Sequence, residues 1–415
     1  MKPATIRKID LWAGKVACLT LTCGRKLLEM MPTDSPPLPP VKKILFIKLI
    51  EQGATVLAAA AIRRAQDLVG RENVFFLVFE ENREILEIMD LLPPKNILGI
   101  RNEGFVTFLS DLAKQLMAIR RQGIDAAVDM EFFARASAVI SFLTGARRRA
   151  GLHRFTSEIP YRGDLMTHRL QHNPYLHTAI AYSLLVEALT LPPDELPLPK
   201  KAVDFPPEGP PAFSANPDEM KAFRQALAGL GLDVAKRRPL IILNPNASDM
   251  LPLRKWPLEY FFTLGTAILR DYPAAALVIT GGPTEKEAAE RLCQRWASAG
   301  AINLAGKTTL RELLMLYALA DVLVTNDSGP AHFASLTAVQ SIVLYGPETP
   351  RLFGPLSKNS HSLYARLACS PCVNAFNHRF SPCRNNLCLQ AILPEEVYAK
   401  VRECLAAGKE AQDAL

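Results

Sequence analysis

The 415-residue chain contains no apolar run approaching the ~20 residues that a membrane-spanning helix needs. It also lacks any long lysine- and arginine-rich tract interleaved with aromatics, which excludes nucleic acid as the expected partner. Charge of one sign is barely in excess: 48 basic against 41 acidic residues leave +7. That bias suits small anionic ligands such as nucleotides or phosphorylated glycans, or an acidic membrane face. The apolar stretch VACLTLTC is short and has no small-residue cleavage site behind it, so a cytoplasmic chain with reduced thiols is expected. A last absence is local. The strand-like run ILFI leads into KLIEQGATV, and the residue after Gly53 is Ala54, which carries no chemistry; Glu51 lies two positions before the glycine.

What is present is globular, with 49% apolar residues. Residues 1–31 read as a basic amphipathic helix. Ile9, Trp12, Val16, Leu19, Cys23, Leu27 and Met30 form an apolar stripe, with Lys8, Lys15, Arg25 and Lys26 off it. Such a helix either lies on an anionic membrane surface or packs on its own domain or a second copy. PTDSPPLPP then acts as a stiff linker. From Val41 strands alternate with helices: ILFI, VFFLVF and IDAAVDM as strands, and segments such as TVLAAAAIRRAQDLV and FVTFLSDLAKQLMAIRRQ as helices. The proline-rich residues 191–217 mark a boundary. A second alternating unit follows, with strands PLIILNP, AALVITGG, DVLVTND and QSIVLYGP, and PEEVYAKVRECLAA closes the chain as a helix. The expected architecture is α/β: two facing Rossmann-like domains with parallel sheets, plus the N-terminal helix. The expected division is 1–40, 41–205, 206–390 and a C-terminal helix in 391–415. Ligands in such sheets sit beyond the carboxyl ends of the strands.

DVLVTNDSGPAHFASL, residues 321–336, is the most informative segment. A strand ends at Asn326 and Asp327, Ser328 and Gly329 turn, and a helix starts near Pro330. The amides of Ser328, Gly329 and Ala331 would then face a phosphate, flanked by Asp327 and His332. Ordinary helix capping explains the Asp and Ser equally well.

NDSGPAHFAS followed by SIVLYGP resembles the signature of the heptosyltransferase-like glycosyltransferases of family nine. IILNPNAS with RKWPLEYF resembles the family's Pro-Gly-Ala-Ser segment and its Lys-x-Trp-Pro. ITGGPTEKE resembles its Gly-rich loop, and ILFIKLIEQGATVLAAAAIRRA and TGARRRAGL resemble parts of its first domain. The resemblance implies the GT-B fold and inverting, metal-independent transfer of a sugar, often heptose from an ADP-activated donor, to a lipopolysaccharide-core or lipid-linked oligosaccharide. It implies that Asp327, Ser328, Gly329 and His332 contact the donor diphosphate and sugar, and that Glu285 lies near the ribose. Arg254, with Lys255 beside it, would neutralise the departing diphosphate; arginine grips phosphate at two points where lysine offers one.

The chain departs from the family at the base. The family's first glycine loop usually reads Gly-Asp, and that Asp is its expected base; here Ala54 takes the place. Glu51 is the expected substitute, with Gly53 beside the acceptor, and Asp129 or Glu131 are its rivals. Arg147, Arg148 and Arg149 form either an electropositive rim for a phosphorylated acceptor or a solvated loop edge. Cys369, Cys372, Cys383 and Cys388, with His378 between, suit a structural zinc or a set of reduced thiols. No cofactor is expected for catalysis. Two alternatives stand beside transfer: a sugar-nucleotide hydrolase or epimerase, and a binding protein that kept the donor domain and lost its base.

Overall fold

A computed structural model describes residues 3–30, 39–153, 155, 162–203, 207–236, 238–247, 251–296, 300–376 and 380–413. His378, Ser248 of the NPNAS segment and most of the first proline-rich linker lie outside them. The chain forms two compact units, Met1–Glu208 and Gly209–Leu415.

The first unit begins with α1 (Pro3–Glu29) and continues as β1 (Ile44–Ile47), α2 (Gln52–Leu57), α3 (Ala59–Val69), β2 (Val74–Phe79) and α4 (Arg83–Met89). Next come β3 (Ile97–Ile100), α5 (Phe105–Arg121), β4 (Ala126–Asp129), α6 (Arg135–Leu143), β5 (Arg148–His153), β6 (His168–Gln171) and α7 (Thr178–Ala188). Its six strands are all parallel, in the order β3-β2-β1-β4-β5-β6. This is the doubly wound Rossmann order, with its switch point between β1 and β4. The central strands ILFI and VFFLVF are buried at every position. A parallel sheet covered by helices on both faces needs such continuous apolar runs rather than alternation.

The second unit repeats the plan. It comprises α8 (Pro217–Gly229), β7 (Leu240–Asn244), α9 (Leu258–Asp271), β8 (Ala276–Ile279), α10 (Lys286–Gln294), β9 (Ile302–Asn303) and α11 (Leu310–Leu319). Then follow β10 (Val322–Asn326), α12 (Gly329–Ala334), β11 (Gln340–Tyr345), α13 (Pro350–Phe353), β12 (Ser360–Tyr364), α14 (Leu387–Gln390) and α15 (Pro394–Asp413). The sheet order is β12-β11-β10-β7-β8-β9, all parallel, so the switch point lies between β7 and β10. The helix α15 is part of this unit: Val397 and Val401 join Ile241, Phe261 and Val324 in its core. Two helices start on reciprocal capping boxes, Asn216 with Glu219 and Thr309 with Glu312.

Two expectations are corrected locally. The segment read as one helix from Thr55 is two, α2 and α3, meeting at Ala58. Gly53 also does not make the turn after β1. It lies inside α2, buried, and the residue that turns the chain is Glu51, at φ 71° and ψ 80°.

Gly265 on α9 lies against Trp296. A Cβ there would come within 2.5 Å of the indole Cζ2 and 3.0 Å of Leu277. The ring cannot give way, because it stacks on Phe262 at 5.3 Å and donates to Thr266 Oγ1 at 3.0 Å. Gly265→Ala gains about 1 kcal/mol of helix propensity against about 1–3 kcal/mol of overpacking. A net loss is expected, read as a lower unfolding midpoint in denaturant.

Candidate functional site

Each unit gathers polar side chains where its strand order reverses. In the first unit the loop after β1 meets the loop after β4. Lys48, fully buried, places its Nζ 2.9 Å from Glu51 Oε2 and 2.9 Å from Glu131 Oε2. The other oxygen of Glu131 accepts from the amides of Leu49 at 2.9 Å and Ile50 at 3.3 Å. Glu131 therefore braces the loop that carries Glu51. Asp129 is deeper still. It takes Arg162, Ser137 Oγ at 3.0 Å and the Glu131 amide at 3.0 Å. Burial raises the Asp129 carboxyl above its usual range, and Arg162 opposes the shift. Of the three carboxylates named from the sequence, Glu51 is the most accessible: its side chain is 15% exposed, against 9% for Glu131 and none for Asp129.

Arg147 and Arg148 are not brought to this place. Arg148 starts β5 level with Ala126, at the amino end of the sheet, whereas Asp129 lies level with Gly151 at the other end. Arg148 instead donates to the Pro39 carbonyl at 2.5 Å. The polar groups that do face Lys48 include one the sequence gave no reason to single out. Tyr182, on α7, is buried, and its hydroxyl has no hydrogen-bond partner among the described residues. Burial raises it to about 12, with Lys48, Glu131 and Asp129 all close enough to act on it.

In the second unit Asn326, at the end of β10, ties the neighbouring loops together. Its Oδ1 accepts from the Trp256 amide at 2.9 Å, and its Nδ2 donates to the carbonyls of Pro245 at 3.0 Å and Asn246 at 3.3 Å. Trp256 is itself anchored, its indole donating to Ile392 O at 2.9 Å. This clamp sets Arg254 over Asp327, with NH1 3.8 Å from Oδ2. The contact is too long for a hydrogen bond. Arg254 Nε, Asp327 Oδ2 and Asn246 Nδ2 are all buried, and none has a hydrogen-bond partner among the described residues. Such atoms usually mark the place of a ligand or ordered water.

Ser328 is the N-cap of α12, but its hydroxyl donates to Asn326 O at 3.2 Å and does not cap the helix. Of the three amides expected to face an anion, that of Ala331 is engaged with Ser328 O at 3.1 Å. Gly329 opens α12, and His332 is buried within it. Lys255 lies next to this cluster in sequence, half-buried, its carbonyl held by Asn386 Nδ2 at 2.8 Å. Glu285 follows β8 and accepts from the Gly282 amide at 2.7 Å, so it shapes the glycine loop. A Cβ on Gly281 would lie 2.6 Å from Asn246 Nδ2 and 2.9 Å from Glu285 Oε2. That glycine lets the two loops meet.

Glu348, the residue immediately after the YGP run, was not singled out by its sequence. It is 3% exposed. Burial raises it to about 8; the Asp327 carboxylate adds to the rise and Arg254 opposes it. Asp327 is also raised by burial and opposed by Arg254. Arg254 pairs with Asp327, so Glu348 is the member that keeps its proton. The unfolded chain ionises at the ordinary glutamate range, while the folded chain holds the proton to about 8. The stability this group contributes is therefore full in acid and is lost as pH rises toward 8. Wild-type melting temperature should fall relative to Glu348→Gln over about pH 5–8. Melting curves of the two proteins that run parallel with pH would contradict this.

Among the four clustered cysteines, burial raises the Cys388 thiol, and Cys372 and Cys383 lie close enough to add to the rise. Cys369 is exposed, Cys372 and Cys383 are half-buried and Cys388 is buried; all are free thiols. Cys372 accepts from Ser381 Oγ at 3.2 Å, and Cys383 lies 3.5 Å from Asn385 Oδ1. Among the described residues no three His, Cys, Asp or Glu side chains form a group able to hold a metal ion. No helix of the described residues is long and apolar enough to cross a membrane.

Two parallel six-stranded sheets in Rossmann order, each with its polar loops at the switch point, define the GT-B class of fold. Escherichia coli ADP-heptose lipopolysaccharide heptosyltransferase II shares it, with a TM-score of 0.68 at 18% identity over 88% of this chain and 99% of that one. So does a family 9 glycosyl transferase from Veillonella parvula, with a TM-score of 0.68, 18% identity and coverage of 88% and 97%. The chain belongs to glycosyltransferase family 9 (heptosyltransferase), whose profile matches residues 112–379. Among curated relatives, a lipooligosaccharide heptosyltransferase 2 of Campylobacter jejuni is 25% identical over 169 residues, 40% of this chain and 51% of the relative. Lipopolysaccharide heptosyltransferase 2 of Salmonella typhimurium is 32% identical over 127 residues, 30% and 36% of the two chains. The chain thus spans about half the length, or less, of these curated relatives.

Proposed function

We propose that the protein is an inverting, metal-independent heptosyltransferase. It moves heptose from ADP-heptose to a lipopolysaccharide-core or related lipid-linked acceptor, in the cytoplasm at the inner membrane. Family membership supports the reaction class, and the names of its relatives support the donor and acceptor. The observation that carries the reading in this chain is the set of buried polar atoms on Arg254, Asp327 and Asn246 that have no hydrogen-bond partner among the described residues. They sit where Rossmann-type sheets bind nucleotides, and a diphosphate and sugar would satisfy both donor and acceptor atoms there.

In the proposed step Glu51 takes the proton of the acceptor hydroxyl. That oxygen bonds to the anomeric carbon from the face opposite the diphosphate. The bond from carbon to diphosphate breaks, and its electron pair leaves with the phosphate. The charge then grows beside Arg254 and Lys255, so side-chain cations do the work that a metal does elsewhere. Lys48 and Glu131 hold Glu51 in place, and Ser328, Gly329 and His332 line the donor side.

The test is a thermal-shift screen of the full chain against nucleoside diphosphates and their sugars, followed by transfer assays with the best donor. A ligand that binds only the folded state raises the melting temperature with its affinity. ADP and ADP-heptose should give the largest rise. A response to none of the nucleotides would end the reading.

A further inference from the structure

The N-terminal helix packs the opposite way from a helix whose task is to fill a core, which normally turns its apolar stripe inward. The face of α1 that meets the first unit is mostly small and polar, with Cys18 and Leu21 its apolar contacts to Ala138, Leu165 and Met166. Asp10 accepts from the amides of Arg135 at 2.9 Å and Ala136 at 2.8 Å, capping α6. Gly14 allows close approach, since a Cβ there would lie 2.8 Å from Arg135 Cβ. Cys18 is fully buried, Thr22 Oγ1 accepts from the Asp164 amide at 3.0 Å, and Arg25 reaches Asp164 at 2.7 Å.

The apolar stripe faces out. Trp12 is 71% exposed, Val16 63%, Leu19 54%, Leu27 65% and Met30 79%. A continuous row of large apolar side chains on a surface marks an interaction site. Charge selects the partner. Both acids of α1 are neutralised at hand, Asp10 by Arg135 and Glu29 by Arg25. Lys15 and Lys26 have no acidic partner among the described residues; Lys15 Nζ lies over the Trp12 ring at 5.9 Å. A second copy would set these lysines against one another across a two-fold axis, a like-charge seam. A sheet of anionic headgroups complements them, while the stripe enters the acyl boundary.

We infer that α1 docks the protein on an anionic lipid surface through Trp12, Val16, Leu19 and Leu27. The docking has a direction. Asp10 caps the start of α6, which follows β4 directly, so the first part of α1 lies at the end of the sheet that carries Glu51 and Glu131. A lipid-linked acceptor, which rests on the function proposed above, would thus be met at the headgroup level by the end of the sheet that bears the base.

The experiment uses the full chain and vesicles of phosphatidylcholine with and without phosphatidylglycerol, with no donor or acceptor present. Trp256 and Trp296 are 1% and 4% exposed, so a blue shift of tryptophan emission reports Trp12. The chain should sediment with anionic vesicles and shift its emission, less so with neutral vesicles and at high salt. Leu19→Ser with Leu27→Ser should weaken vesicle binding about tenfold or more. Its melting temperature and nucleotide-induced rise should stay as in wild type. Three results overturn the inference: no partition onto anionic vesicles, partition unchanged by the double substitution, or a sedimenting dimer that the substitution dissolves. Each is read without sugar transfer, so failure here leaves the nucleotide response standing, and the reverse.

Discussion

Glu51→Gln should lower the rate of sugar transfer by about 10²–10⁴-fold, the usual contribution of a general base, with donor affinity unchanged. The amide keeps the length and shape of the side chain, and Glu131 still grips the amides of Leu49 and Ile50 at 2.9 and 3.3 Å. The loop should therefore hold, and only the proton acceptor is removed. All three carboxylates are paired, Glu51 and Glu131 with Lys48 and Asp129 with Arg162, and the two rivals are the more deeply buried. Steady-state rates give kcat, and a thermal shift with ADP gives donor binding. Wild-type turnover by the variant would move the base away from Glu51. A rate loss with an equal loss of ADP response would instead make Glu51 a structural residue.

Arg254→Ala should have the second large effect, on binding and stability together. Its side chain is 13% exposed and that of Asp327 4% exposed. Removing one partner of a buried ion pair typically costs about 3–5 kcal/mol. The lower end is expected, because Glu348 already carries a proton and Asp327 can take one. Transfer should fall about 10²–10³-fold, as when a preorganised group facing developing charge is lost. Arg254→Lys should recover most of the stability but less of the rate, since lysine offers one point of contact to a phosphate. Calorimetry with ADP and denaturant melts check the two parts separately. An Arg254→Ala protein that binds ADP as wild type does would contradict the assignment.

The central strands of both sheets were legible because they are buried on both faces and read as continuous apolar runs. The edge strands were not. β3, β6, β9 and β12 lie at the four sheet edges, and HRLQ and SHSLY there show neither a run nor a clean alternation. One side of an edge strand faces other elements or water, so polar residues are tolerated, and pairing with a neighbour defines the strand. β5, RRAGLH, was hidden for a related reason: its arginines open the strand at the amino end of the sheet.

The site was legible in part. Asp327, Arg254 and Glu51 each stand beside a turn signal in the sequence; Asp327 and Glu51 follow the ends of β10 and β1, and Arg254 lies in the loop between β7 and α9. Their partners came from tertiary contact. Lys48 sits in β1's continuation beside apolar residues, Tyr182 belongs to a segment with no motif of its own, and Glu348 stands just past the SIVLYGP run. Burial and a nearby charge give these side chains their importance, and neither is written in local sequence. The N-terminal helix shows the converse. Its stripe was plain, but which face it turned inward depended on Asp10, Thr22 and Arg25 finding partners on α6 and near Asp164.

Glu51 turns the chain in a left-handed backbone conformation, φ 71° and ψ 80°. A glutamate held there carries strain on the order of 1 kcal/mol, which glycine or asparagine would relieve. Selection for heat resistance alone should therefore return Gly or Asn at this codon among its first winners, and those clones should be inactive. Libraries built to harden this protein should keep position 51 fixed.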